Sequence, residues 1–159
     1  MNTITIREYK PTDRKACVAI FNGNVPKFFT DGEFEQFNTW LNAEDKASVA
    51  YSNAREQDYF VAILDGKIVG CGGFYIYRDE KTAKMAWGMV ESPLHKQGIG
   101  KALLVHRINS IENLFPGYTI SVDTTQHSFE FFEKLGFKTT KITKDFYNHG
   151  LDRYDMVLE

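Results

Sequence analysis

The sequence predicts an α/β fold of the α+β type, a mixed, mostly antiparallel twisted sheet flanked by helices. Three observations predict it. Tyr59 to Leu64 and Lys67 to Tyr77 are apolar, strand-like runs joined by Asp65-Gly66, a two-residue hairpin signal. Thr82 to Val90 reads as a strand that runs through a glycine turn into a helical pattern over Gly98 to Asn113. A second strand and helix follow at Tyr118 to Val122 and Ser128 to Leu135. Short connections of this kind imply right-handed crossovers, with helices on both faces of one sheet. At 159 residues the chain has the length of one domain, 1–159, with room for a sizeable core.

The remaining elements follow in order. Thr3 to Arg7 alternates as a strand and stops before Lys10-Pro11. Asp13 to Phe21 is a short amphipathic helix, and Asn22 to Phe29 is irregular around Gly23 and Pro26. From Asp31, Phe34, Phe37, Trp40 and Leu41 recur at helical spacing, and Ala43 to Ala54 reads as a further helical stretch. Gly70, Gly72 and Gly73 inside a strand point to close packing or a bulge. Arg78 to Lys81 is a polar turn. Ile99, Leu103, Val105, Ile108 and Ile111 form the expected apolar side of the long helix, and Pro116-Gly117 breaks the chain after it. Gly136 is placed to end the last helix in a left-handed conformation, with Phe137 folding back onto it. Lys138 to Lys144 and Arg153 to Leu158 close the sheet around a loop at Asp145 to Asp152.

Composition excludes several classes. The formal net charge of -2 argues against nonspecific nucleic-acid binding. No CxxC or HExxH spacing suggests a metal, and Cys17 and Cys71 read as buried free thiols rather than a disulfide. The N-terminus begins as a strand with no apolar signal region, and no stretch reads as membrane-spanning. The expectation is a cytoplasmic protein with no membrane partner.

The most informative stretch is Val90-Glu91-Ser92-Pro93-Leu94-His95-Lys96-Gln97-Gly98-Ile99-Gly100-Lys101-Ala102. Glycines at a strand-to-helix turn let backbone approach a phosphate and aim free N–H groups at it. The helix dipole adds attraction, and Lys96 and Lys101 supply counter-charge. The spacing lacks the Gly-Lys-Ser/Thr end of a P-loop and the third glycine of a dinucleotide fingerprint.

This segment resembles the pyrophosphate-binding turn of the GNAT acetyltransferases, whose pattern is Gln/Arg-x-x-Gly-x-Gly/Ala after a strand. Here it reads His95-Lys96-Gln97-Gly98-Ile99-Gly100, with His95 at the Gln/Arg position. A second segment, Phe129-Glu130-Phe131-Phe132-Glu133-Lys134-Leu135-Gly136-Phe137, is similar to the family's late helix, and the order and interval of the two also fit. The resemblance implies a single-domain GNAT-like sheet of about seven strands with splayed central strands four and five. It implies acetyl-CoA as cofactor. Its pyrophosphate would be held by His95, Lys96 and the backbone of Gln97, Gly98, Ile99, Gly100, Lys101 and Ala102. Its pantetheine arm would lie in the splay along Gly88, Met89 and Val90. The family's frequent tyrosine acid falls at Phe132, which has no proton to give. Its asparagine falls at Thr125 and its small residue at Ser128, which could bond the arm or sulfur, or simply cap the late helix.

Direct transfer needs a neutral amine. Glu33, Asp79, Glu80, Glu91, Asp123 and His127 are candidate bases. Glu91 and Asp123 lead, because they end neighbouring strands. The acceptor pocket is expected between residues 22–41 and the loop 145–154, where Phe28, Phe29, Trp40, Tyr147 and Tyr154 cluster, the two tyrosines also as catalytic candidates. The competing account of these rings is core or homodimer packing. The implied activity is N-acetyl transfer to a small-molecule or peptide amine. The alternatives are a non-catalytic CoA-binding protein, motivated by Phe132, and an unrelated phosphate-ligand fold.

Overall fold

A computed structural model describes every residue except Met1, Asn2, Ser52, Asn53, Arg55 and Lys96. The strands are β1 (Ile4–Glu8), β2 (Glu56–Leu64), β3 (Lys67–Tyr77), β4 (Thr82–Val90), β5 (Thr119–Thr124), β6 (Phe137–Asn148) and β7 (Leu151–Leu158). The helices are α1 (Arg14–Gly23), α2 (Phe34–Asp45), α3 (Ile99–Leu114) and α4 (Phe129–Lys134). The strands form one seven-stranded sheet in the order β1-β2-β3-β4-β5-β7-β6. Every neighbouring pair is antiparallel except β4 and β5.

That parallel pair is short. It joins Thr82 to Thr119, Ala83 to Ile120 and Lys84 to Ser121, and then stops. Strand β4 runs on to Val90 and β5 to Thr124, so the two part. Trp87, at φ +51°, is a left-handed residue inside β4. It shifts the register against β3 between the Met89 and Ala86 pairs, as a bulge does.

Each face buries its own core. On one side Leu103, Leu104 and Ile111 of α3 pack on Phe74, Ile76, Ala83, Ile120, Val122 and Met156. On the other, Cys17, Phe21, Phe37, Trp40 and Leu41 pack on Tyr59, Val61, Cys71 and Met89. Val105 is exposed, against expectation. At about 100° per residue it points away from Leu103 and Arg107, and Arg107 takes the sheet-facing place instead.

Two further expectations are corrected. The helical stretch Ala43 to Ala54 does not exist as one element. Helix α2 ends at Asp45, and Ala47 turns the chain at φ +51°. Ser52 and Asn53 of that stretch lie outside the described residues. The loop Asp145 to Asp152 is in fact the end of a hairpin, with β6 reaching Asn148 and β7 starting at Leu151. Its polar residues read as a loop because β6 is an exposed edge strand with a bulge. The register jumps from the Thr143–Arg153 pair to the Asn148–Leu151 pair, with Asp145 at φ +54°.

Gln57 ties α2 to β2. Its amide donates to Glu44 Oε2 at 2.7 Å, and its carbonyl accepts from Ala50 N. Burial, with Asp58 and Asp45 nearby, lifts the Glu44 carboxyl from 4.5 to about 7. The folded state therefore holds this proton where the unfolded chain releases it, and stability falls as pH rises from about 4.5 to 7. Glu44→Gln keeps an acceptor for Gln57 and cannot ionise. Thermal melts should show a gain on the order of 2 °C at pH 8 and none at pH 4. An equal shift at both pH values would assign the gain to something other than the proton.

Candidate active site

Gly98 opens α3 at φ +85°, where a side chain is strained and only glycine rests easily. An added Cβ there meets nothing within 4 Å, so the turn faces open space. The first helical bond runs from Ala102 N to Gly98 O at 3.0 Å. The N–H groups of Ile99, Gly100 and Lys101 thus precede any intrahelical acceptor. A Cβ on Gly100 would sit 3.5 Å from Phe131 of α4 and 3.7 Å from Val90, which makes this a narrow slot between α3 and α4. Together these groups form a cradle of free N–H donors at the end of the half of β4 that β5 does not pair.

The backbone leading into the cradle is held from both sides. The Val90 carbonyl accepts from Asn24 Nδ2 at 3.0 Å and from His95 Nε2 at 2.9 Å. Asn24 is 4% exposed and also donates to Ile20 O at 2.8 Å, which ties the end of α1 to the end of β4. At the bulge, Tyr59 Oη donates to the Trp87 carbonyl at 2.8 Å, and Trp87 Nε1 donates to Tyr51 Oη at 3.1 Å. The Trp87 ring stacks on Phe29 at 5.8 Å.

A half-strand open on its β5 side, ending at a glycine turn and a free helix N-terminus, suits a nucleotide-bearing ligand with an extended arm. The sequence matches the acetyltransferase (GNAT) domain over residues 27–159. The chain belongs to the GNAT acetyltransferases. Members of this family transfer an acetyl group from acetyl-CoA, and this protein is an enzyme of that class.

Solved structures share the fold. A GNAT-family protein of Desulfovibrio desulfuricans is 21% identical, with 99% of each chain covered and a TM-score of 0.79. An IAA acetyltransferase from Bacillus cereus is 18% identical, with 99% of each chain covered and a TM-score of 0.72. The ribosomal-protein-S18-alanine N-acetyltransferase from Escherichia coli is 21% identical, covering 99% of this chain and 93% of that one, with a TM-score of 0.72. No curated protein matches the chain at a significant level.

The residues expected at the site from the sequence fall as follows in the structure. Gln97 and Lys101 are exposed at the turn, Ile99 offers its N–H while its side chain is buried, and Ala102 lies in the first turn of α3. Lys96 lies outside the described residues. His95 turns inward to Val90 and packs its ring edge on Phe28 at 5.1 Å. Met89 is buried on the α1/α2 side and Val90 packs toward α3. Thr125 is buried; its hydroxyl accepts from His127 N at 3.2 Å and its carbonyl from Ser128 N and Phe129 N. Ser128 takes the N-cap position of α4, with no capping bond from its side chain. Phe132 packs edge-on against Phe137 at 5.5 Å.

The acceptor side differs more from expectation. Trp40 has no exposed surface and lies in the core, so it cannot wall a pocket; its Nε1 has no partner among the described residues. Tyr147 and Tyr154 lie on opposite faces of the sheet. Tyr154 stacks on Phe129 of α4 at 4.5 Å. Tyr147 lies where Asp123, Arg153 and Glu33 reach its hydroxyl electrostatically, and burial pushes that hydroxyl up. The bulge in β6 is what breaks the alternation that would otherwise relate them. Tyr147 lines a cavity of about 490 Å³ between residues 26–32 and the β6–β7 turn. Lys27, Thr30, Asp31, His127 and His149 share that wall, so it is polar, whereas Phe29 packs inward on Phe21 at 5.1 Å.

The two leading base candidates also separate. Glu91 pairs with Lys67 at 3.0 Å on the β3 side of β4. Asp123 bridges Lys84 at 3.0 Å and Arg153 at 3.1 Å at the point where β4 and β5 part. Burial, then the neighbouring Asp155, raises its carboxyl. Burial also raises Glu33, whose Oε1 caps the Thr30 N–H at 3.0 Å. Among the described residues no group of His, Cys, Asp and Glu could hold a metal ion, and no helix is long and apolar enough to cross a membrane.

Asn24 and Trp87 hold the backbone of β4 beside the turn, Arg107 lies buried behind Gly88, and no motif announces any of them. Their signals are an Asn just past a helix end, a lone Trp in a small-residue strand and a lone Arg on an apolar helix face. Asn24→Ala strands the Ile20 carbonyl and halves the support of Val90. Urea unfolding should show a loss of about 1–3 kcal/mol. Asn24→Asp should lose at least as much, because a carboxylate then faces two carbonyl oxygens. No change in either variant would mean that water replaces the amide without cost.

Proposed function

We infer that the protein transfers the acetyl group of acetyl-CoA to the primary amine of a small molecule or peptide, by direct attack of the neutral amine. The observation that carries this reading is the half of β4 that β5 does not pair beyond Lys84, ending at the free N–H groups of α3. Acetyl-CoA supplies an activated acyl group and a good leaving group. The chain supplies the rest. The backbone of Ile99, Gly100 and Lys101 fits the pyrophosphate, with Lys101 as counter-charge. The edge of β4 that β5 leaves open from Gly88 to Val90 fits an extended arm, the Val90 carbonyl itself being already held by Asn24 and His95. Thr125 and Ser128 serve chiefly to form the turn into α4.

The polar cavity at Tyr147 supports an acceptor entering from the α1/α2 face, opposite the slot between α3 and α4. Asp123 is the favoured proton acceptor. It sits at the parting of the strands, where burial raises its carboxyl, whereas Glu91 is held by Lys67 on the β3 side of β4.

Gly98→Glu puts a side chain and a negative charge at the cradle. Calorimetric titration with acetyl-CoA should show binding weakened by at least about 100-fold, or about 2.7 kcal/mol. Unchanged affinity would move the pyrophosphate elsewhere. Turnover over an amine panel, read as thiol released, tests the activity itself.

Tyr147→Phe should raise the acceptor KM or lower kcat by about tenfold while leaving acetyl-CoA affinity intact. Loss of acetyl-CoA binding instead would make Tyr147 a structural residue.

A further inference from the structure

Arg107 lies in the middle of α3 and is only 4% exposed. Its guanidinium has no acidic partner among the described residues. Nε donates to the Leu103 carbonyl at 3.2 Å and Nη1 to the Gly73 carbonyl at 3.3 Å, and Nη2 has no hydrogen bond among the described residues. The titratable groups that face it are Tyr59 of β2 and Cys71 of β3, and burial pushes the Tyr59 hydroxyl far up, so it stays neutral. Burial lowers Arg107 itself, but only to about 10, so the charge persists at neutral pH.

The sheet is cut to fit this group. A Cβ on Gly72 would lie 2.9 Å from the guanidinium carbon, and one on Gly88 would lie 3.0 Å from Nη2. Gly88 is exposed, although Arg107 lies directly behind it. It belongs to the stretch of β4 that β5 does not pair. A buried charge without a counter-ion is costly, and a leucine would pin α3 to the sheet without that cost. The cation therefore lies against the stretch of β4 that β5 leaves open, and the position that aligns by resemblance with the family's tyrosine is Phe132.

We propose that Arg107 is a fixed positive charge, acting across Gly88, that stabilises the anionic sulfur released in the cleft and so replaces a proton donor. The proposal rests on the acetyl-transfer reading. In that reaction the amine lone pair forms the N–C bond and the C–S bond breaks. The C–S electron pair leaves on sulfur, and the surplus amine proton goes to Asp123 or water. Arg107 transfers nothing. It lowers the energy of the thiolate, which water protonates later.

The test is the titration of the CoA thiol in the complex, followed by thiolate absorbance against a desulfo-CoA complex as blank. In the wild-type protein the bound thiol should titrate about one unit below free CoA, a tenfold gain in thiolate. Arg107→Met should bind CoA and return the thiol to its free value. Arg107→Lys, with its charge drawn back from Gly88, should show a smaller lowering. A wild-type thiol that titrates no lower than free CoA overturns the proposal whatever the variants do. So does an undiminished lowering in Arg107→Met or, if that variant does not fold, in Arg107→Lys. Failure of wild-type protein to bind CoA in calorimetry overturns the acetyl-transfer reading itself, and the proposal with it.

Discussion

Strands β4 and β5 pair over Thr82–Lys84 and Thr119–Ser121 and then separate, and the rest of the site depends on that parting. An unpaired strand edge inside a sheet is costly, because its backbone donors and acceptors lose their partners. Several interactions hold it open. The bulge at Trp87 re-aims β4, and Tyr59 fixes the bulged carbonyl from the neighbouring strand. Lys84, Asp123 and Arg153 form an ion network across β4, β5 and β7 just where the pairing ends. At the far end Asn24 and His95 both bond the Val90 carbonyl. The cleft is thus braced at its vertex, along one side and at its tip.

The same constraint explains the glycines of β3 and β4. Gly70 lies under Leu103, with room for a Cβ only 3.0 Å away, and Gly72 and Gly88 lie under Arg107. Helix α3 can sit this low only where the strands carry no side chains. A low α3 brings its first turn level with the end of β4, so the free N–H groups open beside the cleft. Gly73 answers a different demand: a Cβ there would be 1.9 Å from the Asp58 carbonyl of β2. One run of glycines therefore seats the helix on one face and lets two strands close up on the other.

What the sequence made legible follows from this. The turn at Gly98 and the helix end at Gly136 were readable because both need positive φ, +85° and +101°, which marks glycine in any sequence. The hairpin at Asp65-Gly66 was readable for the same reason. Facing was harder to read. Tyr147 and Tyr154 read as one aromatic cluster, but a bulge between them puts one at the cavity and the other under α4. Trp40 has the composition of a pocket residue, and only tertiary packing buries it. Arg107 was invisible because helical periodicity marks a face as sheet-facing by its apolar residues, and a lone cation breaks the pattern without explaining itself.

The two faces of the sheet divide the chemistry between them. On the α3/α4 side the cluster under the helices is apolar, Arg107 lies buried beside it, and Phe132, which aligns by resemblance with the family's tyrosine, packs against Phe137 and carries no hydroxyl. That favours a fixed charge over a mobile proton. On the α1/α2 side, carboxyls are partly buried but still wet: Asp123 among cations, Glu33 on the rim beside Tyr147. Groups there can exchange protons with water, as an incoming amine requires. In the proposed transfer a proton leaves on one face while negative charge gathers toward the other, and the splay between β4 and β5 lies between the two.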